Sequence, residues 1–253
     1  MRIAGNTALQ KKVEALLYDD QPPAAIAGWL HKRQRRLPPV SRDTIYRYIK
    51  SPYGRKVEAH RLRKRGRKGR RRAKTGALND RTFIDQRPAY INKRMRIGDA
   101  EGDFIVSGKD GRGALLVVVD RRARTAFLER ILRPSCAAVA QACQRIKKRY
   151  PEWKSMTTDN DILFQHHKGL EKTLGIKIYF CHPYHSWEKG SVENANKHIR
   201  KTIPKGSDLS QYTMSFIKKV EAKLNRRIME CMDCRTPQEV LQRHRKRKKR
   251  SRA

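Results

Sequence analysis

Apolar residues of the first fifty positions recur at helical spacing in three runs: Leu9, Val13, Leu16 and Leu17; then Ile26, Ala27 and Leu30; then Ile45, Tyr46 and Ile49. Pro22-Pro23 separates the first run from the second. Pro38-Pro39 precedes the third, which Ser41 opens as an N-cap. The pattern predicts three short helices, the last burying Ile45 and Ile49 and exposing Arg42, Thr44 and Arg47. Beyond residue 94 the period changes. "AEGDFIVS", "ALLVVVD" and "TAFLERIL" read as strands, and "GKDGRG" and "RRAR" between them have the composition of hairpin turns. After Pro134, "SCAAVAQACQRIKKRY" reads as a helix capped by Ser135, "WKSMTTD" as a short strand, "ILFQHHKGLEKTLG" as a helix ending at Gly175, and "IKIYFC" as a strand. A last helix runs from about Ser191 to Lys201. Three antiparallel strands followed by helix, strand, helix, strand, helix predict an α/β unit, a mixed sheet with helices on both faces.

The predicted organisation is an all-α domain over 1–54, a basic linker over 55–93, an α/β core over 94–242 and a basic tail over 243–253. The linker contains "HRLRKRGRKGRRRAKTG", which has nothing to bury; Arg63, Lys64 and Arg65 are its candidates for phosphate contact. Charge sharpens the picture. The 253 residues carry 61 Lys plus Arg against 24 Asp plus Glu, a formal net charge of +37. Such a chain repels itself unless a polyanion neutralises it, so the expected partner is nucleic acid, bound with steep salt dependence. In that setting the exposed face of the third helix suits a recognition helix of a helix-turn-helix. No apolar run approaches the roughly 18 to 20 residues of a membrane span, and no signal peptide is evident, so the expected setting is a bacterial cytoplasm, at the nucleoid. The five cysteines are expected as free thiols, although Cys231 and Cys234 have the spacing of half a zinc site.

Candidate chemistry lies in three acids. Asp103 falls inside the first predicted strand, where alternation sets Glu101, Asp103 and Ile105 on one face and Gly102, Phe104 and Val106 on the other. Asp159 follows "SMTT", at the carboxyl end of a strand, where ligands of open α/β sheets collect. Glu193 stands in the first turn of its helix, where the dipole favours an anion. Asp99, Glu101 and Asp120 are weaker candidates for the same role, Asp99 preceding its strand and Asp120 ending a different one. Around Glu193, Lys189, Lys197, Arg200 and Lys201 form a candidate phosphate-contacting face. Asn194 and Asn196 suit either orientation of a carboxylate or contact with DNA. His182, His185 and Trp187 suit a metal or base-stacking set, Trp187 more naturally packing its turn.

The segments "GDAEGDFI", "TTDND" and "YHSWEKGSVENANKHIRKTIPKGSDLS" resemble the core signatures of the DDE transposases of the insertion-sequence family numbered thirty, relatives of retroviral integrases. The likeness covers about Ile97 to Leu241 and, more loosely, the helical segment through "VSRDTIYRYI". It implies an RNase H-like core whose catalytic and metal-binding triad falls on Asp103, Asp159 and Glu193. It further implies two Mg²⁺ ions, replaceable by Mn²⁺, with Asp103 shared between them. The implied activity is cleavage and strand transfer of an element's terminal repeats into target DNA, both double-stranded DNA (transposition, integration, recombination), by a homo-oligomer. Two departures from the family pattern are Ala100 where Trp is usual and Asp161 where Gly is usual; the second adds negative charge beside Asp159. A non-catalytic DNA-binding regulator explains the charge equally well, and a basic RNA- or ribosome-binding protein explains the charge alone.

Overall fold

The computed structural model describes residues 2–34, 36–63, 80–108, 111–182 and 186–251. The chain divides into two compact units, one of residues 1–69 with 226–253 and the other of residues 70–225.

Four helices open the first unit: α1 (Thr7–Tyr18), α2 (Pro23–Lys32), α3 (Arg42–Lys50) and α4 (Arg55–Arg63). Asn6 caps α1, accepting from the Leu9 N–H at 3.0 Å, and Ser41 caps α3 as expected, accepting from Thr44 at 3.2 Å. Leu9, Val13, Leu17, Ile26, Leu30, Ile45 and Ile49 share one buried cluster. Its aromatic is Tyr48, which completes an i, i+3, i+4 stripe with Ile45 and Ile49 and donates its hydroxyl proton to Glu14. Tyr46, which the apolar run includes beside Ile45 and Ile49, is exposed. The helical body also continues past residue 54 into the predicted linker. A Cβ at Gly54 would come within 2.2 Å of the Tyr48 carbonyl oxygen, an approach open to glycine alone, and the turn made there starts α4 and buries Val57. The α2–α3 connection occupies residues 33–41, longer than the roughly three- or four-residue turn of the common helix-turn-helix.

In the second unit, residues 80–93 are likewise more than linker. Phe83 pairs with Phe180 in a parallel bridge, and Ile91 of the short α5 (Ala89–Asn92) is buried. Then come β1 (Asp99–Val106), β2 (Ala114–Asp120), β3 (Ala126–Ile131), α6 (Cys136–Arg149), β4 (Ser155–Thr158), α7 (His167–Leu174), β5 (Lys177–Phe180), α8 (Gly190–Ile199) and α9 (Met214–Asn225). The sheet order is β3-β2-β1-β4-β5, with β1, β2 and β3 antiparallel in succession and β4 and β5 parallel to β1. This is the RNase H-like arrangement. Only the second half of "ILFQHHKGLEKTLG" is α-helix. Asp161 accepts from the Leu163 N–H at 2.9 Å and starts a 3₁₀ turn over Ile162–Phe164, so α7 begins later and ends, as predicted, at left-handed Gly175 (φ 61°).

Alternation along β1 behaves as predicted. Ile105 joins Leu115, Val117, Val119 and Leu128 in a cluster with Val192 and Ile199 of α8 and with Ile217, Val220 and Leu224 of α9. On the opposite face Phe104 meets Phe164 with ring centres 5.1 Å apart, and Phe127 stacks on Tyr150 at 4.6 Å.

From Arg226 the chain belongs to the first unit again. Gln21, 1 % exposed, accepts from the Ile228 N–H at 2.8 Å and donates to the Arg226 carbonyl at 3.3 Å. Ala25, Ile228 and Cys234 are buried together, and a Cβ on Gly28 would come within 2.4 Å of Cys234 Sγ. Lys32 pairs with Asp233 at 2.7 Å, and Arg33 pairs with the same carboxylate. α10 (Pro237–Arg250) then begins at a capping box of Thr236 and Glu239 and buries only Pro237 and Leu241. The predicted core, drawn to the extent of the family likeness, runs through residue 242; the structure divides the chain after Asn225, where Gln21 and the α2 surface supply polar and apolar partners for residues 226–234. The predicted tail is helical as far as Arg250.

Candidate active site

Because β1 and β4 are parallel neighbours paired Asp99↔Ser155, Ala100↔Met156 and Glu101↔Thr157, continuing the register two places sets Asp159 opposite Asp103. Side chains level on adjacent parallel strands share a face. The structure joins the two carboxylates through one ammonium: Lys189 Nζ lies 3.2 Å from Asp103 Oδ1 and 3.1 Å from Asp159 Oδ2. Lys189 is the N-cap residue of α8 and is 5 % exposed. It was expected on an exposed phosphate-contacting face; burial beneath the start of α8 commits its charge to the two aspartates instead. Burial alone draws its pKa down, but Asp103 and Asp159 outweigh that and hold it above the usual lysine value. Asn196, two turns along α8, donates from Nδ2 to Asp103 Oδ2 at 2.6 Å. It therefore orients the carboxylate, while Asn194 is exposed.

Glu193 comes four residues after Lys189 and three before Asn196, so helical spacing sets it on the stripe of α8 whose other two members touch Asp103. It is half-buried. The neighbouring acids are committed elsewhere. Asp99 receives both nitrogens of the Arg96 fork at 2.9 Å and the Ser155 hydroxyl at 2.7 Å. Glu101 takes Arg121 at 2.7 Å and the backbone N–H groups of Ser191 and Val192 at 2.7 and 3.0 Å, which anchors the first turn of α8 to β1. Asp120 accepts from Gly98 at 2.9 Å, from Arg122 at 2.8 Å and from Tyr150, and burial raises its pKa. Burial, with the nearby Asp159 and Asp103 charges, also raises Asp161.

Among the described residues no group of three His, Cys, Asp or Glu side chains is gathered closely enough to hold a metal ion. The pair Asp103 and Asp159 nevertheless has the chemistry a hard divalent cation needs: carboxylate oxygens meeting at a point already occupied by positive charge, with Asp159 Oδ1 buried and lacking a hydrogen-bond partner. Asp159 keeps 47 % of its side chain exposed, so this end of the site opens to solvent.

The remaining site residues lie apart. Arg42 and Arg47 are exposed on α3 together with Tyr46 and Lys50, and Thr44 is half-exposed beside the Ser41 cap. Tyr46 was missed as a surface residue; its spacing from Arg42 and Lys50, four residues each way, carried the signal. Lys197 and Lys201 are exposed, and Arg200 is half-buried and donates to the Pro204 carbonyl at 3.1 Å. Lys64 and Arg65 lie outside the described residues, as does the side chain of Arg63. His182 stacks on Phe83 and faces Asp85 at 2.8 Å and Glu188 at 3.3 Å, an arrangement that holds residues 80–93 to the core; His185 and the Trp187 side chain lie outside the described residues. All five cysteines are free, and burial pushes Cys143 and Cys181 up to about 12. Cys234 is buried against Gly28 while Cys231 is exposed. No helix among the described residues is long and apolar enough to cross a membrane.

No family model matches the chain. The transposase for insertion sequence element IS4351 of Bacteroides fragilis is 36 % identical over 238 residues, covering 92 % of this chain and 72 % of that protein. The transposase InsI for insertion sequence element IS30A of Escherichia coli strain K12 is 33 % identical over 257 residues, covering 94 % of this chain and 65 % of that protein. Among solved structures, the catalytic core domain of BIV integrase aligns with a TM-score of 0.46 at 19 % identity, over 60 % of this chain and 97 % of that one.

Proposed function

Because the chain belongs to the IS30 family of insertion-sequence transposases, we propose that it cleaves the DNA ends of such an element and joins them to target DNA, with Asp103, Asp159 and Glu193 as its catalytic carboxylates. The observation that carries this reading is the meeting of Asp103 and Asp159, from two strands, on one buried positive charge at the open end of the sheet. The three acids are the residues that would hold divalent cations, Mg²⁺ with Mn²⁺ as a substitute. Such a cation, when bound, activates the attacking oxygen and stabilises the leaving one.

The chain's own residues prepare that chemistry. Asn196 fixes one oxygen of Asp103, and Glu101 clamps the first turn of α8 so that Glu193 and Asn196 are delivered together. The exposed Lys197 and Lys201 lie on the helix of Glu193 and its exit, suited to DNA phosphates; Arg42, Thr44 and Arg47 of α3 serve contact with the terminal repeats. In the first step water attacks a terminal phosphodiester and its 3′-oxygen leaves with a proton as a free hydroxyl. In the second that hydroxyl attacks a target phosphodiester, whose own 3′-oxygen departs. No bond to the protein forms. The protein acts as a homo-oligomer on paired ends, at the nucleoid.

The test is incubation of duplexes carrying candidate element ends with the protein and Mg²⁺ or Mn²⁺, with sequencing of new 3′ termini. Metal-dependent termini at the element boundary are expected, and Asp159→Asn or Glu193→Gln should abolish them. Wild-type strand transfer by both variants would refute the assignment.

A further inference from the structure

We propose that Lys189 is the site's resident counter-cation, an internal ammonium that holds Asp103 and Asp159 together before metal arrives and that a divalent ion must displace. The inference deepens the ligand assignment above and rests on it. Its geometry is specific: one Nζ lies within 3.2 Å of an oxygen on each aspartate, and only 6 % of the lysine side chain is exposed. The second oxygen of Asp103 is engaged by Asn196 and that of Asp159 is buried without a partner. The oxygens that converge on one point, and that an ion shared by the two aspartates would take, are those that Lys189 now holds.

Charge alone has two consequences here. A divalent ion about 2.0 to 2.1 Å from those oxygens would stand within a few ångströms of the ammonium that now contacts them, and repulsion between the two positive charges expels Lys189 toward solvent or phosphate. Without Lys189, two carboxylates level on adjacent strands repel each other without the ammonium that now bridges them. The lysine thus stabilises the metal-free site at the expense of metal affinity. Its position four residues before Glu193, at the start of the same helix, means that its departure and the engagement of Glu193 occur on one element. A lysine expelled from this pocket emerges at the acids' own rim, where a DNA phosphate offers the replacement anion.

The experiment is calorimetric titration of the full chain, free of DNA, with Mn²⁺ and separately with Ca²⁺, comparing wild type with Lys189→Met and Lys189→Gln. Both variants are expected to bind at least on the order of tenfold tighter than wild type and to show a larger metal-induced rise in Tm from a lower metal-free value. Asp103→Asn in the same background should remove the gain. A measurement on wild type alone guards against variants that do not fold: acylation of Lys189, read by peptide mass spectrometry, should be low without metal and rise when Ca²⁺ saturates the site. Variants that bind no tighter than wild type, or a Lys189 equally shielded with and without saturating metal, overturn the proposal while leaving the ligand assignment standing. If neither wild type nor the lysine variants bind either ion, the ligand assignment falls and this proposal falls with it.

Discussion

Replacing Glu101 by glutamine tests whether this buried acid anchors α8 or takes part in the chemistry. Its carboxylate is 1 % exposed and accepts from Arg121 at 2.7 Å, from the Ser191 N–H at 2.7 Å and from the Val192 N–H at 3.0 Å. Glutamine keeps one carbonyl oxygen but loses the charge that Arg121 and the helix N-terminus both address. Breaking a buried ion pair costs about 3 to 5 kcal/mol when one partner is deleted, the figure for Glu101→Ala. The retained acceptor brings Glu101→Gln to about 2 to 3 kcal/mol, since each hydrogen bond to a charged group is worth roughly 1.5 to 3 kcal/mol. With a urea slope of about 2 kcal/mol/M, the midpoint should fall by roughly 1 M. Trp29 belongs to the other unit, so in a Trp29→Phe background tryptophan emission tracks the α/β unit through Trp153 and Trp187. DNA cleavage should fall with stability and recover in part where the variant is kept folded by cold or osmolyte. An unshifted midpoint with cleavage lost would refute the anchor and make Glu101 a participant in the reaction.

Gly28→Ala, which would gain about 1 kcal/mol in an exposed helix, should instead lose about 1 to 3 kcal/mol, since the new methyl meets Cys234 Sγ at 2.4 Å; Trp29 emission during urea unfolding measures it, and a stabilised variant would show that residues 226–236 do not pack on α2. Lys32, first, and Arg33 hold the Asp233 carboxyl below the ordinary value. A depressed carboxyl contributes stability above its unfolded pKa of about 3.9 that is lost as pH falls through the folded value. Asp233→Asn should therefore lower Tm at pH 7 and approach wild type in strong acid; a difference that does not shrink as pH falls from 7 into strong acid refutes the pairing. Neutralising Arg243, Lys246, Arg247 and Lys249, all in α10, to glutamine should flatten the slope of log K against log salt for duplex DNA by up to roughly 0.9 per cation removed. An unchanged slope in fluorescence anisotropy would take α10 out of the interface.

Much of this protein is written in local pattern. Period-two alternation sets Asp103 on the face of Glu101 and Ile105, and the clusters around α8 and α9 bear that out, because a strand within a sheet offers its side chains only two directions. Helical period and caps place α1, α3 and α6, and the density of Lys and Arg points to a polyanion before any coordinate is known. Where a local signal fails, a distant contact overrides it. Tyr46 and Tyr48 are equally apolar, and Tyr48 goes inside because Ile45 and Ile49 make its stripe and Glu14, far back in the chain, accepts its hydroxyl proton.

Residue types and their spacing by themselves single out the candidate acids, the strands and helices from β1 to α8, and a polyanion as the expected partner, while α4, α5, α9 and α10 are not read from them. Only the tertiary structure decides that Lys189 belongs to Asp103 and Asp159 rather than to solvent, that Glu101 clamps a helix, and that residues 226–234 pack with the opening helices. A long cationic side chain reads as surface in any window of sequence. Whether it is buried depends on partners brought near by strand register and chain return, and a local pattern carries neither.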